Sequence, residues 1–551
     1  MAAVFVSDNA GTSSRSVPTR EELRRFFDVR ARRTQGCLTC RQRKVKCDQR
    51  RPACDRCKRG MHRCLGYDDA FLFVNQALPG TQELPSKKSA SQLKDYWNQQ
   101  LGAVASRTRP GVPDNKIGPM ISLVGFKDNI IISHFVSNLR IGFEQKPVNR
   151  SDAPTMRAAM ESFGKQTTAY VSGLGVAELY FSRIHKVNQM TTHAAGLYGE
   201  ALAGLRSDLQ QMSQHFSRSR AFLGLWTAYF LSLYELISKS KADGMWLQHA
   251  RGVASLIYLL GPEAFQSPSA NALYEVKRPF IAISHFVMRK RCFLEFDEWK
   301  AQPWAHRPES KLPGSMLMDT FVDIPGIVED ADRLQEAAAR MKLGLTSAAQ
   351  VDALRTKVQN RILAAIHGLS ESRWKWEDMY PRVCWKTRIN LATTLCLDDD
   401  GKPLFDTCLN FVGLKRTFEI LMYNATRLLL FRLCDLTGLH EDAATKLEHV
   451  WQRHGPFLNP LLLPGLGTPE SHALEICRIV DYLMNGEQNY HGAFILLFPL
   501  RVAQVQLVSS PKMHAWIGRM LKQFAEEKGL GIGEHLQESR NAESLRRTPV
   551  H

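Results

Sequence analysis

No stretch of this 551-residue chain stays apolar for the ~18 residues a helix needs to cross a bilayer. The nearest run, AFILLFPL at 493–500, is short and contains Pro499. The opening MAAVFVSDNAGTSS lacks the basic start and apolar core of a secretory signal. A soluble protein, with no membrane partner and outside oxidising compartments, is therefore expected. Acidic residues are in deficit, with 54 Asp and Glu against 72 Lys and Arg, a formal +18. H-E-x-x-H, Walker and G-x-S-x-G motifs are all missing, which removes the signatures of zincins, P-loop enzymes and serine hydrolases. Cysteine is sparse along most of the chain, where Cys292, Cys384, Cys396, Cys408, Cys434 and Cys477 are scattered without ligand spacing. These six read as reduced core residues.

The other six cysteines are concentrated. Cys37, Cys40 and Cys47 give C-x2-C-x6-C, and Cys54, Cys57 and Cys64 repeat it. A disulfide framework conflicts with the expected compartment. A redox C-x-x-C would need a preceding apolar strand that is absent here. Two tetrahedral zinc ions need eight ligand bonds, and six thiolates supply eight if two of them bridge both metals. The first cysteine of each half occupies an equivalent place. The expected set is Cys37 and Cys54 as bridges, Cys40 and Cys47 on one zinc, and Cys57 and Cys64 on the other.

The same stretch is basic. Between Arg20 and Gly66 sixteen Arg and Lys face five Asp and Glu, a formal +11 of the chain's +18. Charge interleaved with metal ligands is a footprint for a polyanion, because releasing counterions from a phosphate backbone drives binding. Arg41, Arg43, Lys44, Lys46 and Arg59 are the candidate DNA-contacting residues. Arg30, Arg32 and Arg33 add a second basic cluster, suited to nuclear import.

The run Cys37, Cys40, Arg41, Arg43, Lys44, Lys46, Cys47, Asp48, with Pro52 in the following loop, resembles the fungal Zn2Cys6 binuclear cluster transcription factors. The resemblance covers about 30 residues and implies two zinc ions bridged by the first and fourth cysteines. It also implies a short helix after the second cysteine whose end enters the major groove. There Arg43 and Lys44 would read a CGG triplet through guanine O6 and N7. Double-stranded DNA, a nuclear address and a role in RNA polymerase II transcription follow as expectations. The rival reading is an enzyme or scaffold using the zinc unit only for nonspecific nucleic-acid attachment. A missing catalytic signature and the match at Arg43 and Lys44 count against it, so no enzyme is expected.

The expected organisation is a mobile polar segment at 1–34, the zinc unit at 35–66, a Pro/Ser-rich linker at 67–115, an all-α regulatory domain at 116–535 and a polar tail at 536–551. A short helix opened by Thr19 and Glu22 is expected in the first segment. Leu93, Tyr96, Trp97 and Leu101 form at most one amphipathic helix, too short for a dimerising coiled coil, so a homodimer is left open. Period-3.6 patterns predict helices at 187–213, 221–239, 245–260, 348–379, 409–437, 470–485 and 511–526. The second and third should form an antiparallel hairpin across an ADG turn, closed by Gly261-Pro262. HARGVASLIYLLGP, RPFIAISHFVMRKRCFLEFDEW and FPLRVA resemble segments of the helical regulatory region of fungal zinc-cluster factors. Coregulator proteins or a small-molecule effector would be its partners.

Several local features invite sharper readings. MLMDTFVDIPGIVEDADRL at 316–334 could contact coactivators, but reads better as a helix end, a proline turn and a capped helix start. Asp398-Asp399-Asp400-Gly401 hints at a calcium loop, yet Cys396 and Thr407 would then stand where carboxylates belong. Gly529, Gly531 and Gly533 follow no strand and read as a helix terminus or turn. His249 reads as a packed or capping histidine.

Overall fold

In the computed structural model the described residues are 40, 45, 47–48, 55–60, 127–139, 156–238, 245–439, 458–463, 467–486 and 489–533. The chain divides into two compact units, Met1–Lys127 and Asp128–His551. The expected short helices near Thr19 and Leu93 lie outside the described residues.

The large unit is built of helices. Capping residues open many of them. Thr167, Ser217, Ser267 and Thr468 each accept a first-turn backbone N–H, and Ser347 forms a reciprocal capping box with Gln350. Thr167 starts α1 (Thr168–His185), which ends on left-handed Lys186 and turns into α2 (Asn188–Gln214). The two pack closely because Gly175 of α1 faces α2. A Cβ there would stand 3.2 Å from Leu197 Cβ. α3 (Arg218–Ile237) and α4 (Met245–Leu260) complete this group. α3 ends at Ile237, before the predicted 239, and the predicted ADG turn lies outside the described residues. Gly261, at φ +78°, closes α4 as expected, its N–H reaching Ile257 and Tyr258 carbonyls, and Pro262 opens a 3-10 turn.

The second group holds α5 (Pro268–Met288), α6 (Pro313–Phe321), α7 (Ile324–Lys342) and the 32-residue α8 (Ala348–Met379). Residues 316–334 are structural here. Phe321, Ile324 and Ile327 are buried in the core. Asp323 does not cap α7, and its carboxylate instead accepts from Lys300 Nζ at 2.6 Å.

Two strands follow, β1 (Cys384–Arg388) and β2 (Thr407–Phe411), antiparallel with Trp385 opposite Asn410. This corrects the helix predicted to begin at 409. Residues 407–411 are extended, and α9 (Leu414–Thr437) starts after Gly413, at φ +109°. Leu409 and Phe411 are buried at strand spacing, while Cys408, Phe411 and Val412, at i, i+3 and i+4, mimic a helical stripe that hides the boundary.

α10 (Pro469–Arg478), α11 (Val480–Asn485), α12 (Asn489–Gln506) and α13 (Pro511–Glu527) finish the fold. The stretch Tyr490–Ser509 is long and apolar enough to cross a membrane, with 61% of its apolar window buried in the protein. It passes that test despite Pro499 because the helix runs through the proline. α12 packs on α9, α10 and α13 as a core helix.

Buried polar groups tie these helices together. Arg278 of α5, fully buried, donates to Ser315 O at 3.1 Å and to Asp319. Arg373 and Glu377 of α8 are buried as a pair, and Glu377 Oε2 also accepts from Asn459 N at 2.9 Å. Asn424 of α9 donates to Glu475 at 2.8 Å, and its amide oxygen lies 2.7 Å from His472 Nδ1. Charges sequestered this far from water need such partners.

Candidate metal centre and nucleic-acid interface

Cys40 and Cys57 are the second cysteines of their halves, and both are fully buried with their sulfurs 3.8 Å apart. Val45 and Cys47 pack against them. The ligand scheme puts these two thiols on different zinc ions, and the fold brings them together in one sulfur-lined core, as a binuclear cluster with shared ligands requires. A unit of this size has little apolar core of its own, and sulfur fills the place where aliphatic side chains would stand. The donor set therefore fits zinc. Zinc bound there would supply a structural cross-link.

The backbone explains how the halves meet. Val45 N–H bonds to Cys40 O at 3.0 Å, turning the chain back after the second cysteine. Asp48, next to Cys47, then reaches the other half. Its two carboxylate oxygens accept from Asp55 N at 2.9 Å and Arg56 N at 3.2 Å. Those amides open the one-turn helix Asp55–Arg59, where N–H groups have no partner within the helix. Helix geometry turns Cys57 inward and leaves Arg56 and Arg59 exposed to solvent. The sequence motif by itself assigns Asp48 no role. The signal was its place directly after the last cysteine of the first half, since a carboxylate there can hold the second half at its first turn.

Of the predicted site residues, the structure brings together Cys40, Cys47 and Cys57 and exposes Arg59 on the adjoining helix. Cys37, Cys54, Cys64, Arg41, Arg43, Lys44 and Lys46 lie outside the described residues.

The other candidates resolve as structure. His249 is buried, its Nε2 2.9 Å from Tyr198 Oη, and burial lowers its pKa to about 4. Asp398 organises a tight turn, accepting from the backbone N–H of Asp400 at 3.0 Å and of Lys402 at 2.9 Å, and Lys512 of α13 reaches it at 3.1 Å. Gly401, at φ +74°, makes that turn possible. Gly531 lies where a Cβ would come 2.1 Å from Ser238 O, so this glycine run marks a close backbone approach to the end of α3. The remaining cysteines are free. Burial pushes the Cys292 and Cys384 thiols up to about 12 and Cys434 to about 11, and raises Cys396 and Cys477 as well. These five stay protonated at neutral pH.

Residues 35–71 match the family model of the fungal Zn(2)-Cys(6) binuclear cluster domain. The chain carries this zinc cluster domain. The domain is that of the fungal zinc cluster transcription factors, and it implies zinc binding, DNA binding and transcription regulation. Over 202 residues the chain is 29% identical to a protein of Emericella nidulans named "Uncharacterized protein AN5342". That similarity covers 35% of this chain and 42% of the relative's length, so the chain matches less than half of that protein. No solved structure matches the chain.

Proposed function

We propose that the protein is a nuclear, sequence-specific DNA-binding regulator of RNA polymerase II transcription that reads CGG-like half-sites through its zinc cluster domain. The observation that carries the reading is the junction of the two half-motifs. Cys40 and Cys57 meet at 3.8 Å, and Asp48 locks the first turn of a helix whose Arg59 faces solvent. A joint of this kind fixes basic side chains in a rigid frame, which base reading needs and nonspecific attachment does not.

In this reading two zinc ions sit on six thiolates, with Cys37 and Cys54 bridging. Lys44, with Arg43 beside it, takes the guanine edges, while Arg41, Lys46 and Arg59 face the backbone. Residues 35–66 bind DNA, 67–115 connect, and the helical domain at 116–535 tunes activity through coregulators or a small effector, with no catalytic step of its own. Competition between CGG-containing and scrambled duplexes at fixed salt tests it. Preference for the CGG duplex is expected, and equal competition by both would leave only nonspecific attachment.

A further inference from the structure

Among the described residues β1 has one hydrogen-bonded neighbour, and its other edge is unpaired. The ladder shows which backbone groups face that edge. Val412 N–H bonds to Val383 O at 2.9 Å, and Ile389 N–H to Asp406 O at 3.1 Å. In an antiparallel pair the bonded positions alternate, so residues 383, 385, 387 and 389 turn their N–H and C=O groups toward β2. Cys384, Lys386 and Arg388 turn theirs outward. Among the described residues none of these outward groups has a hydrogen-bond partner.

The side chains beside this edge alternate as sharply. Trp385 and Thr387 stand on one face, and Trp385 is 46% exposed. Val412, on the same face of the neighbouring strand, is 66% exposed. Lys386 and Arg388 project from the opposite face, and both are exposed. They have no ion-pair partner among the described residues.

We propose that this edge is a docking site for an extended peptide that joins as a third strand, with acidic residues at every second position and apolar residues between them. Main-chain bonds to Cys384, Lys386 and Arg388 would supply affinity. The two faces would supply specificity, with carboxylates opposite Lys386 and Arg388 and apolar side chains beside Trp385. Charge argues for this occupant over a second copy of the chain. Antiparallel pairing of two β1 edges would set Lys386 and Arg388 against the same cations, which is repulsive. The site is independent of the DNA reading, and a chain that failed every DNA test could still bind such a peptide.

The test is fluorescence anisotropy on the full-length protein with labelled peptides of about seven residues. One alternates Glu and Val, one alternates Lys and Val, and one carries the Glu and Val residues in separate blocks. The alternating acidic peptide should bind saturably, and the block and basic peptides roughly tenfold more weakly. Lys386→Pro removes an outward N–H that the ladder does not use, so the fold should persist while binding falls at least about tenfold. The exposed pair Lys386→Glu/Arg388→Glu should reverse the preference toward the Lys/Val peptide, a readout that does not depend on proline tolerance. Absence of saturable binding by the acidic peptide overturns the proposal and leaves Lys386 as a guard against edge pairing. Equal binding by wild type and the double charge reversal also overturns it. A concentration-dependent dimer in analytical ultracentrifugation that Lys386→Pro dissociates would assign the edge to a second copy and overturn the peptide reading.

Discussion

Replacing Asp48 with alanine isolates the joint between the two halves of the cluster domain. The change deletes both acceptors for Asp55 N and Arg56 N and touches no cysteine. Loss of a side chain that satisfies first-turn amides costs about 0.5–2 kcal/mol, and the exposed setting of Asp48 argues against the upper end. Its negative charge near the helix start adds at most a few tenths of a kcal/mol, because a five-residue helix has a small dipole. A total of about 1–1.5 kcal/mol follows. Folding of so small a unit is coupled to metal binding, so the loss should appear as zinc affinity lowered about 5–13-fold. Chelator competition on the purified full-length chain, with zinc release followed spectroscopically, measures it. Asp48→Asn keeps one acceptor oxygen and should fall between wild type and Asp48→Ala. Unchanged zinc affinity in Asp48→Ala would refute the joint. A defect confined to DNA binding would place Asp48 at the nucleic acid instead.

Metal analysis of the purified protein should return two zinc ions per chain, and Cys37→Ser or Cys54→Ser should lose both, whereas one zinc in wild type would break the bridging scheme. Lys44→Ala should cost about 1–3 kcal/mol on a CGG duplex and little on a scrambled one, while Arg59→Ala should weaken both alike and lower the salt slope by about one unit. Equal weakening of both duplexes by Lys44→Ala would remove its base-reading role. Joint neutralisation of Arg30, Arg32 and Arg33 should reduce nuclear accumulation, and unchanged entry would move the import signal elsewhere. His249, neutral when folded with its pKa near 4, stabilises the helical domain fully above its unfolded value of about 6.5 and loses that contribution, on the order of 3 kcal/mol, as pH falls toward 4. Burial raises the Glu235 pKa and works in the opposite direction, so the readout is the difference in thermal midpoint between wild type and His249→Gln at pH 7 and pH 5. A difference that does not change with pH would refute a neutral buried imidazole.

The zinc site was legible because its chemistry lies in spacing. Metal stoichiometry turns six cysteines at two repeated intervals into a ligand set, and no knowledge of the fold is required. The helices were legible where one face meets water. α8 carries a charged outer face and α4 a narrow polar one, where Gln248 and Arg251 are exposed, and their bounds agree with the period-3.6 pattern. α1 was missed for the opposite reason. Most of its 18 residues are buried, and Gly173 and Gly175 occupy close contacts, so no polar stripe marks the element. Buried pairs such as Arg373–Glu377 were equally invisible, because an i,i+4 ion pair in sequence reads as solvated surface. Only the packing of α9 and Asn459 around it reveals otherwise.

The β hairpin shows where periodicity misleads. β2 is five residues long, with Leu409 and Phe411 facing the core, and it lies three residues before the start of a helix that is itself mostly buried. Cys408, Phe411 and Val412 fall at i, i+3 and i+4 and satisfy a helical stripe, while Leu409 and Phe411 alternate as a strand does. Gly413 was the better signal, since its positive φ lets the chain leave the strand and enter α9 in a single step. β1 gave a different hint. CWKTR places an aromatic and a threonine on one face and two cations on the other, an alternation with no counterpart in the surrounding helices. Among the described residues neither strand belongs to a larger sheet. The hairpin is held instead by Asn459 on Val383 N–H at 2.8 Å, Arg478 on Thr407 Oγ1 at 2.9 Å and Tyr482 on Phe411 O at 2.8 Å. All three anchors hold β2 and the start of β1 to the helical body, and among the described residues the outer edge of β1 has no partner, the arrangement a rigid docking strand requires.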